Sequence, residues 1–85
     1  MAYQLVYTRR AVRDIRRLDG AVRQRLKAAL EKYRDDPLLF ARKLTNPEQG
    51  TYRFKIGDYR VVFDMDGDKV VILRAGHRKD IYRRI

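Results

Sequence analysis

Between Tyr52 and Phe63 the chain reads Tyr-Arg-Phe-Lys-Ile-Gly-Asp-Tyr-Arg-Val-Val-Phe, with basic and apolar residues alternating. Alternation of this kind places Arg53 and Lys55 on one face of a strand and Tyr52, Phe54 and Ile56 on the other. Gly57-Asp58 has the Gly-first chemistry of a two-residue hairpin turn. With that turn, Ile56 pairs with Tyr59, Lys55 with Arg60 and Arg53 with Val62, and paired residues project to the same face. Arg53, Lys55 and Arg60 then share one face, while Tyr52, Phe54, Val61 and Phe63 share the other. Two cations directly opposite each other repel. Either both side chains splay into water or an anion sits between them, and a phosphate or an acidic partner residue would serve. A second basic group, His77-Arg78-Lys79, follows the next apolar strand, with Tyr82 beyond it. Antiparallel pairing returns the end of that strand to Tyr59 and Arg60, so the two groups can converge.

The rest of the composition narrows the chemistry. An 85-residue chain allows one domain, taken as 1–85, and 45% hydrophobic residues are enough for a core despite 38% charged ones. The formal charge of +10 is spread over both halves and attracts polyanions, whether nucleic acid, an acidic protein or an anionic membrane. Cysteine and serine are both absent, which removes disulfides, thiolate metal sites, thiol nucleophiles and any Ser-His-Asp arrangement. Asp64 to Asp68 lacks the spacing and closing glutamate of a calcium loop, and a hairpin turn explains it better. No metal or other cofactor is expected. The first residues have neither a charged start nor a long apolar run, and no stretch is long enough to span a bilayer, so a cytoplasmic protein without membrane contact is expected.

The elements that must position these residues are legible from periodicity. Residues 3–7 alternate as a short strand, and Thr8 is placed to cap a helix carrying Ala11, Val12, Ile15 and Leu18 on one face. Asp19-Gly20 should break this helix, Gly20 with a positive φ and Asp19 as the next cap. Val22, Leu26, Ala29, Leu30 and Tyr33 then mark a second helix that stops before Pro37. Residues 37–50 read as irregular, with Leu38, Leu39 and Phe40 plugging a gap at the sheet edge. Strands over 51–56, 59–64 and 69–75 follow, the second turn being Asp66-Gly67, and the tail from Lys79 is expected to form a last helical turn or two. The predicted fold is α+β, with an N-terminal strand, a helical hairpin, and a three-stranded antiparallel meander. These form one curved sheet with both helices on one face.

Two segments, Tyr52 to Phe63 and Arg74-Ala75-Gly76-His77-Arg78-Lys79-Asp80-Ile81-Tyr82-Arg83, resemble the signature regions of RelE-type toxins in the RelE/ParE superfamily of type II toxin–antitoxin systems. The order of elements matches as well, so the resemblance covers nearly the whole chain. It implies a RelE-like fold and a ribosome-dependent, metal-independent mRNA endoribonuclease (an mRNA interferase). Such a toxin inhibits translation and is held inactive by a cognate antitoxin protein. Ribosome, mRNA and antitoxin are thus the implied partners. By motif alignment the active-site roles fall on Arg53, Lys55, Arg60, Arg78 and Tyr82. Arg53 stands where many relatives carry lysine, and it is effectively always protonated, which suits binding better than proton transfer.

Cleavage by the RNA's own 2′-OH needs that hydroxyl deprotonated, the phosphorane stabilised and the leaving 5′-oxygen protonated. Arg60 suits the phosphorane. Lys55 is the expected base, since neighbouring cations favour its neutral form. Arg78 is assigned to the leaving oxygen, and Tyr82 to stacking on a base. These four form the expected catalytic set, and Arg53, His77, Lys79 and Arg83 the expected RNA-binding set. His77, the only histidine, doubles as a reserve base. Two other readings use the same fold: a ParE-like gyrase poison without nuclease activity, and a non-enzymatic nucleic-acid-binding module.

Overall fold

The computed structural model describes residues 2–45 and 50–81, so Tyr82 and Arg83 lie outside the described residues. Strand β1 (Gln4–Tyr7) leads into helices α1 (Arg9–Arg16) and α2 (Gly20–Tyr33). A one-turn helix α3 (Pro37–Phe40) and a short strand β2 (Ala41–Lys43) follow, and then strands β3 (Tyr52–Ile56), β4 (Tyr59–Asp66) and β5 (Lys69–His77). They form one open, curved five-stranded sheet in the order β1-β5-β4-β3-β2. β1 runs parallel to β5, and every other pair is antiparallel. The α+β architecture read from the sequence is therefore present.

The helices pack on one face. Ala11 from α1 and Leu26 and Leu30 from α2 meet Phe54, Ile56, Val61, Phe63, Val70, Ile72 and Ala75 in a single core. Phe54 and Phe63 stack at a centroid separation of 4.2 Å at its centre, and burying a side chain of that size contributes about 2–3 kcal/mol. Thr8 caps α1 as expected, its Oγ1 accepting the Ala11 N–H at 3.1 Å. The start of β1 is tied to the end of α2 by the Tyr3 N–H to the Arg34 carbonyl and the Arg34 Nε–H to the Tyr3 carbonyl, both 2.8 Å.

Several details differ from the periodic reading. Gly20 opens α2 without a positive φ, and Asp19, though at the cap position, makes no side-chain capping bond. The first half of the stretch read as irregular is regular: Pro37, at the first position of α3, starts a helical turn, and β2 follows at once, while residues 46–49 lie outside the described residues. Leu38 and Leu39 do not plug the sheet edge but are 51% and 70% exposed. Only Phe40 packs, stacked on Tyr33 at 4.5 Å. The second hairpin turn is Gly67-Asp68, because Asp66 is already paired with Lys69. Gly67 at φ 60° takes the first turn position, as Gly57 does at φ 59° in the other hairpin, so both turns follow the Gly-first pattern.

β5 carries the least foreseeable feature. Val62 pairs with Arg74 but Phe63 pairs with Ile72, so Leu73 is an extra residue in a bulge. The bulge inverts the alternation of β5. Val70 and Ile72 face the helices before it and Ala75 and His77 after it, while Arg74 and Gly76 turn to the opposite face. β1 covers β5 only as far as Ile72. Beyond that point the start of α1 satisfies the edge. The Thr8 N–H donates to the Ile72 carbonyl at 3.0 Å, and its hydroxyl to the Leu73 carbonyl at 3.1 Å. Asp14 Oδ2 accepts both the Ala75 N–H and the Arg74 Nε–H at 3.1 Å.

Asp14 and Arg74 expose only 13% and 20% of their side chains, so removing the carboxylate leaves a poorly hydrated N–H and a guanidinium without this partner. Asp14→Ala is expected to cost about 2–3 kcal/mol, a fall in Tm of roughly 10–20 °C for a domain of this size. Asp14→Asn, which keeps an acceptor, should cost clearly less, and thermal unfolding of the two variants checks the ordering.

Candidate functional site

The face of the sheet away from the helices carries the basic residues. The register of the β3–β4 hairpin is the predicted one: Ile56 with Tyr59, Lys55 with Arg60, Phe54 with Val61, Arg53 with Val62 and Tyr52 with Phe63. Arg53, Lys55 and Arg60 therefore share that face. Among the described residues neither Arg53 nor Lys55 has a carboxylate partner, although Asp14, Asp58 and Glu31 are each paired elsewhere.

Arg60 is held rather than free. Its Nη1 donates to the Gly57 carbonyl at 2.8 Å and to the Tyr59 carbonyl at 2.9 Å, which lays the guanidinium over the β3–β4 turn. This uses the two Nη1 hydrogens and leaves the Nε/Nη2 edge, the edge that fits two oxygens of a phosphate. The Arg78 N–H donates to the Asp58 carbonyl at 2.7 Å, so the chain after β5 docks on the same turn. Arg78 Nε lies 3.6 Å from Asp58 Oδ1, but both side chains are more than half exposed and the pair holds the arginine only weakly. Arg25, from α2, closes on the turn from the other side, since a Cβ at Gly57 would lie 2.8 Å from its Nη2. Lys55, Arg60 and Arg78 thus gather at one end of the sheet, with Arg25 behind them.

His77 is placed differently. It pairs with Tyr59 across β4 and β5, and the two rings meet edge to face at 5.3 Å on the helix side of the sheet. Its Nδ1 accepts the Lys79 N–H at 3.1 Å, which occupies one lone pair and leaves Nε2 to carry the proton of the neutral ring. The bulge at Leu73 is the cause, because plain alternation of β5 would have put His77 beside Arg60. Lys79 is exposed in the turn that follows β5.

Two more residues belong to this face. β2 pairs with β3 so that Arg42 lies directly opposite Arg53. One row across the sheet therefore reads Arg42, Arg53, Val62 and Arg74, with Arg74 drawn to Asp14. Arg42 escapes notice in the sequence because Ala-Arg-Lys has no apolar alternation to mark a strand. Gly50 is the other. Its backbone crosses the face at φ 139°, where a Cβ would overlap Val62 Cγ1 and sit 3.1 Å from Leu73 Cδ1. It covers Val62, which is 2% exposed although it points to the basic side. The Thr51 N–H, next in the chain, donates to Asp64 Oδ1 at 2.7 Å and fixes this crossing.

A family model described as the ParE toxin of the type II toxin–antitoxin system parDE matches residues 5–82. The chain belongs to the RelE/ParE toxin family. Its similarity within that family is to RelE toxins. It is 36% identical over 90 residues to Toxin RelG of Mycobacterium tuberculosis, an alignment covering 99% of this chain and 100% of the relative. It is 33% identical over 73 residues to the mRNA interferase toxin RelE of Escherichia coli, covering 85% of this chain and 77% of that one. A chain in the crystal structure of the toxin–antitoxin complex RelBE2 from Mycobacterium tuberculosis superposes with a TM-score of 0.83 at 27% identity, over 92% of this chain and 100% of that one. The protein is a RelE-type toxin of a type II toxin–antitoxin system. Among the described residues of the toxin no helix is long and apolar enough to cross a membrane.

The crossing at Gly50 can be tested directly. Gly50→Ala combines a positive φ with a steric overlap and should destabilise the toxin by roughly 2–4 kcal/mol in urea unfolding. Gly67→Ala, at φ 60° with nothing near its Cβ, should lose only about 1–2 kcal/mol.

Proposed function

We propose that the toxin is a ribosome-dependent endoribonuclease that cuts mRNA through attack of the 2′-OH on the adjacent phosphate, and that a RelB-like antitoxin holds it inactive. The observation that carries this reading is Lys55 directly opposite Arg60 on an open sheet face, with Arg78 docked on the same turn and no carboxylate on Lys55 among the described residues. Such a cluster is electrostatically unfavourable until a polyanion occupies it. The likeness to the Escherichia coli mRNA interferase supports RNA as that polyanion.

In this reading the Nε/Nη2 edge of Arg60 binds the scissile phosphate and stabilises the charge that grows on its oxygens. Fixed donors of this kind need no reorganisation as the transition state forms. Lys55, among neighbouring cations, takes the 2′-OH proton. Arg78 polarises the leaving 5′-oxygen, which takes its proton from water as the 2′,3′-cyclic phosphate forms, and the weak pair of Arg78 with Asp58 is easily exchanged for a phosphate. Arg53, Lys79 and Arg83 contact flanking backbone, Tyr82 stacks on a base, and His77 orders the turn that carries Arg78 and Lys79. The antitoxin would be an acidic or amphipathic segment laid over the basic surface, as the charge of +10 favours. The gyrase-poison reading makes no use of the Lys55–Arg60–Arg78 cluster.

Arg60→Ala removes the phosphate-binding edge while leaving the core intact, and should lower cleavage by about 10²–10³-fold. Induced expression with mapping of mRNA 5′ ends is the measurement. New 5′ ends and growth arrest are expected with the wild type, and neither with Arg60→Ala, which should still melt cooperatively. Arrest that persists in the variant would overturn the assignment of Arg60, and DNA damage with intact mRNA would favour a gyrase target.

A further inference from the structure

We infer that Arg42 and Arg53 form a second phosphate site, which holds the RNA backbone next to the scissile phosphate and leads it off the sheet over the β2 edge. The inference rests on the reading of this face as the RNA-cleaving one. It comes from a repetition in the register. Lys55 faces Arg60, and Arg42 faces Arg53, so two rungs on the same face each set one cation opposite another. Arg53 and Lys55 are two residues apart on β3, a separation of about 6.8 Å along the strand. That is comparable to the spacing of neighbouring phosphates in an extended strand of RNA. Each rung alone is repulsive, and together they match a polyanion with a repeat.

The surroundings give the track a direction. Towards β5 the face is blocked, since Gly50 lies over Val62 and Leu73, and Arg74 is turned to Asp14. Towards β2 it is open, because Arg42 is exposed and has no carboxylate partner among the described residues. An exposed edge strand often carries charge to deter pairing with other chains. Exposed Lys43, the next residue, already supplies such a charge. Edge protection gives no reason for an arginine opposite Arg53.

The test is binding of the full chain to a short fluorescent single-stranded RNA, followed by anisotropy across a salt series. The same variants are scored for mRNA cleavage in translation reactions. Loss of one backbone contact should reduce the slope of log affinity against log salt by about 0.7. Arg42→Ala should show that reduction, whereas Arg10→Ala, on the exposed surface of α1, should not. A single uncharged methylphosphonate neighbouring the scissile position should weaken wild-type binding clearly more than that of Arg42→Ala, which keeps only Arg53 at that phosphate. Arg42→Ala should cut less at a given toxin concentration, as its weaker binding requires, but at the same positions, because the Lys55–Arg60 rung is intact. Arg42→Ala that binds with the wild-type slope, aggregates without a change of slope, or keeps its sensitivity at every methylphosphonate position overturns the second site while cleavage stands. A wild-type chain that binds RNA through Arg42 yet leaves mRNA intact overturns the nuclease reading and not this site.

Discussion

The structure depends on how the second half of β5 is satisfied. That strand has nine residues and β1 covers four of them. The remaining edge would expose unpaired backbone in a nearly buried position, at a cost of about 1–3 kcal/mol for each unsatisfied group. Thr8 and Asp14 take those groups and in doing so press α1 against β5, where Ala11 is fully buried. With α1 fixed there, and α2 packed beside it on the same core, both main helices are committed to one side of the sheet. The opposite side is then free to carry charge.

Which charges it carries is decided by one inserted residue. Leu73 shifts the phase of β5, so Ala75 completes the core and Arg74 leaves it. Arg74 is then within reach of Asp14, and the bulge and the edge bonds reinforce each other. The same shift carries His77 over to Tyr59, where its ring stiffens the turn instead of facing the basic residues of the opposite side. The cationic cluster that results contains only arginine and lysine. In the proposed reaction, acid–base work there falls to a lysine rather than to an imidazole.

The β3–β4 hairpin was legible because a Gly-first two-residue turn sets the register, and the register sets every face. Thr8 as a cap and the apolar stripe of α2 were legible for the same local reason. Three features were not. β2 has too few residues and no apolar alternation, and it exists because β3 offers it an edge. The bulge at Leu73 is invisible in Val-Val-Ile-Leu-Arg-Ala, where either phase places apolar residues inward. Nothing local in the sequence marks Asp14, and its role appears only when the helix meets a strand about 60 residues away. Arg42 and the crossing at Gly50 were missed with β2, as both sit in the stretch read as irregular.

The parallel pairing of β1 with β5 also sets an order of assembly. Thr8 and Leu73, joined by a hydrogen bond, are 65 residues apart in the chain. Closing so long a loop is entropically costly and cannot precede synthesis of the second partner. The β3–β4 hairpin, by contrast, can form from neighbouring residues as soon as they emerge. A growing chain therefore presents Lys55 and Arg60 before Arg78 exists and before either helix has a finished sheet to rest on. The three cations therefore meet only after β5 and the residues behind it have been made, so the cluster forms with the strand that also closes the sheet onto β1.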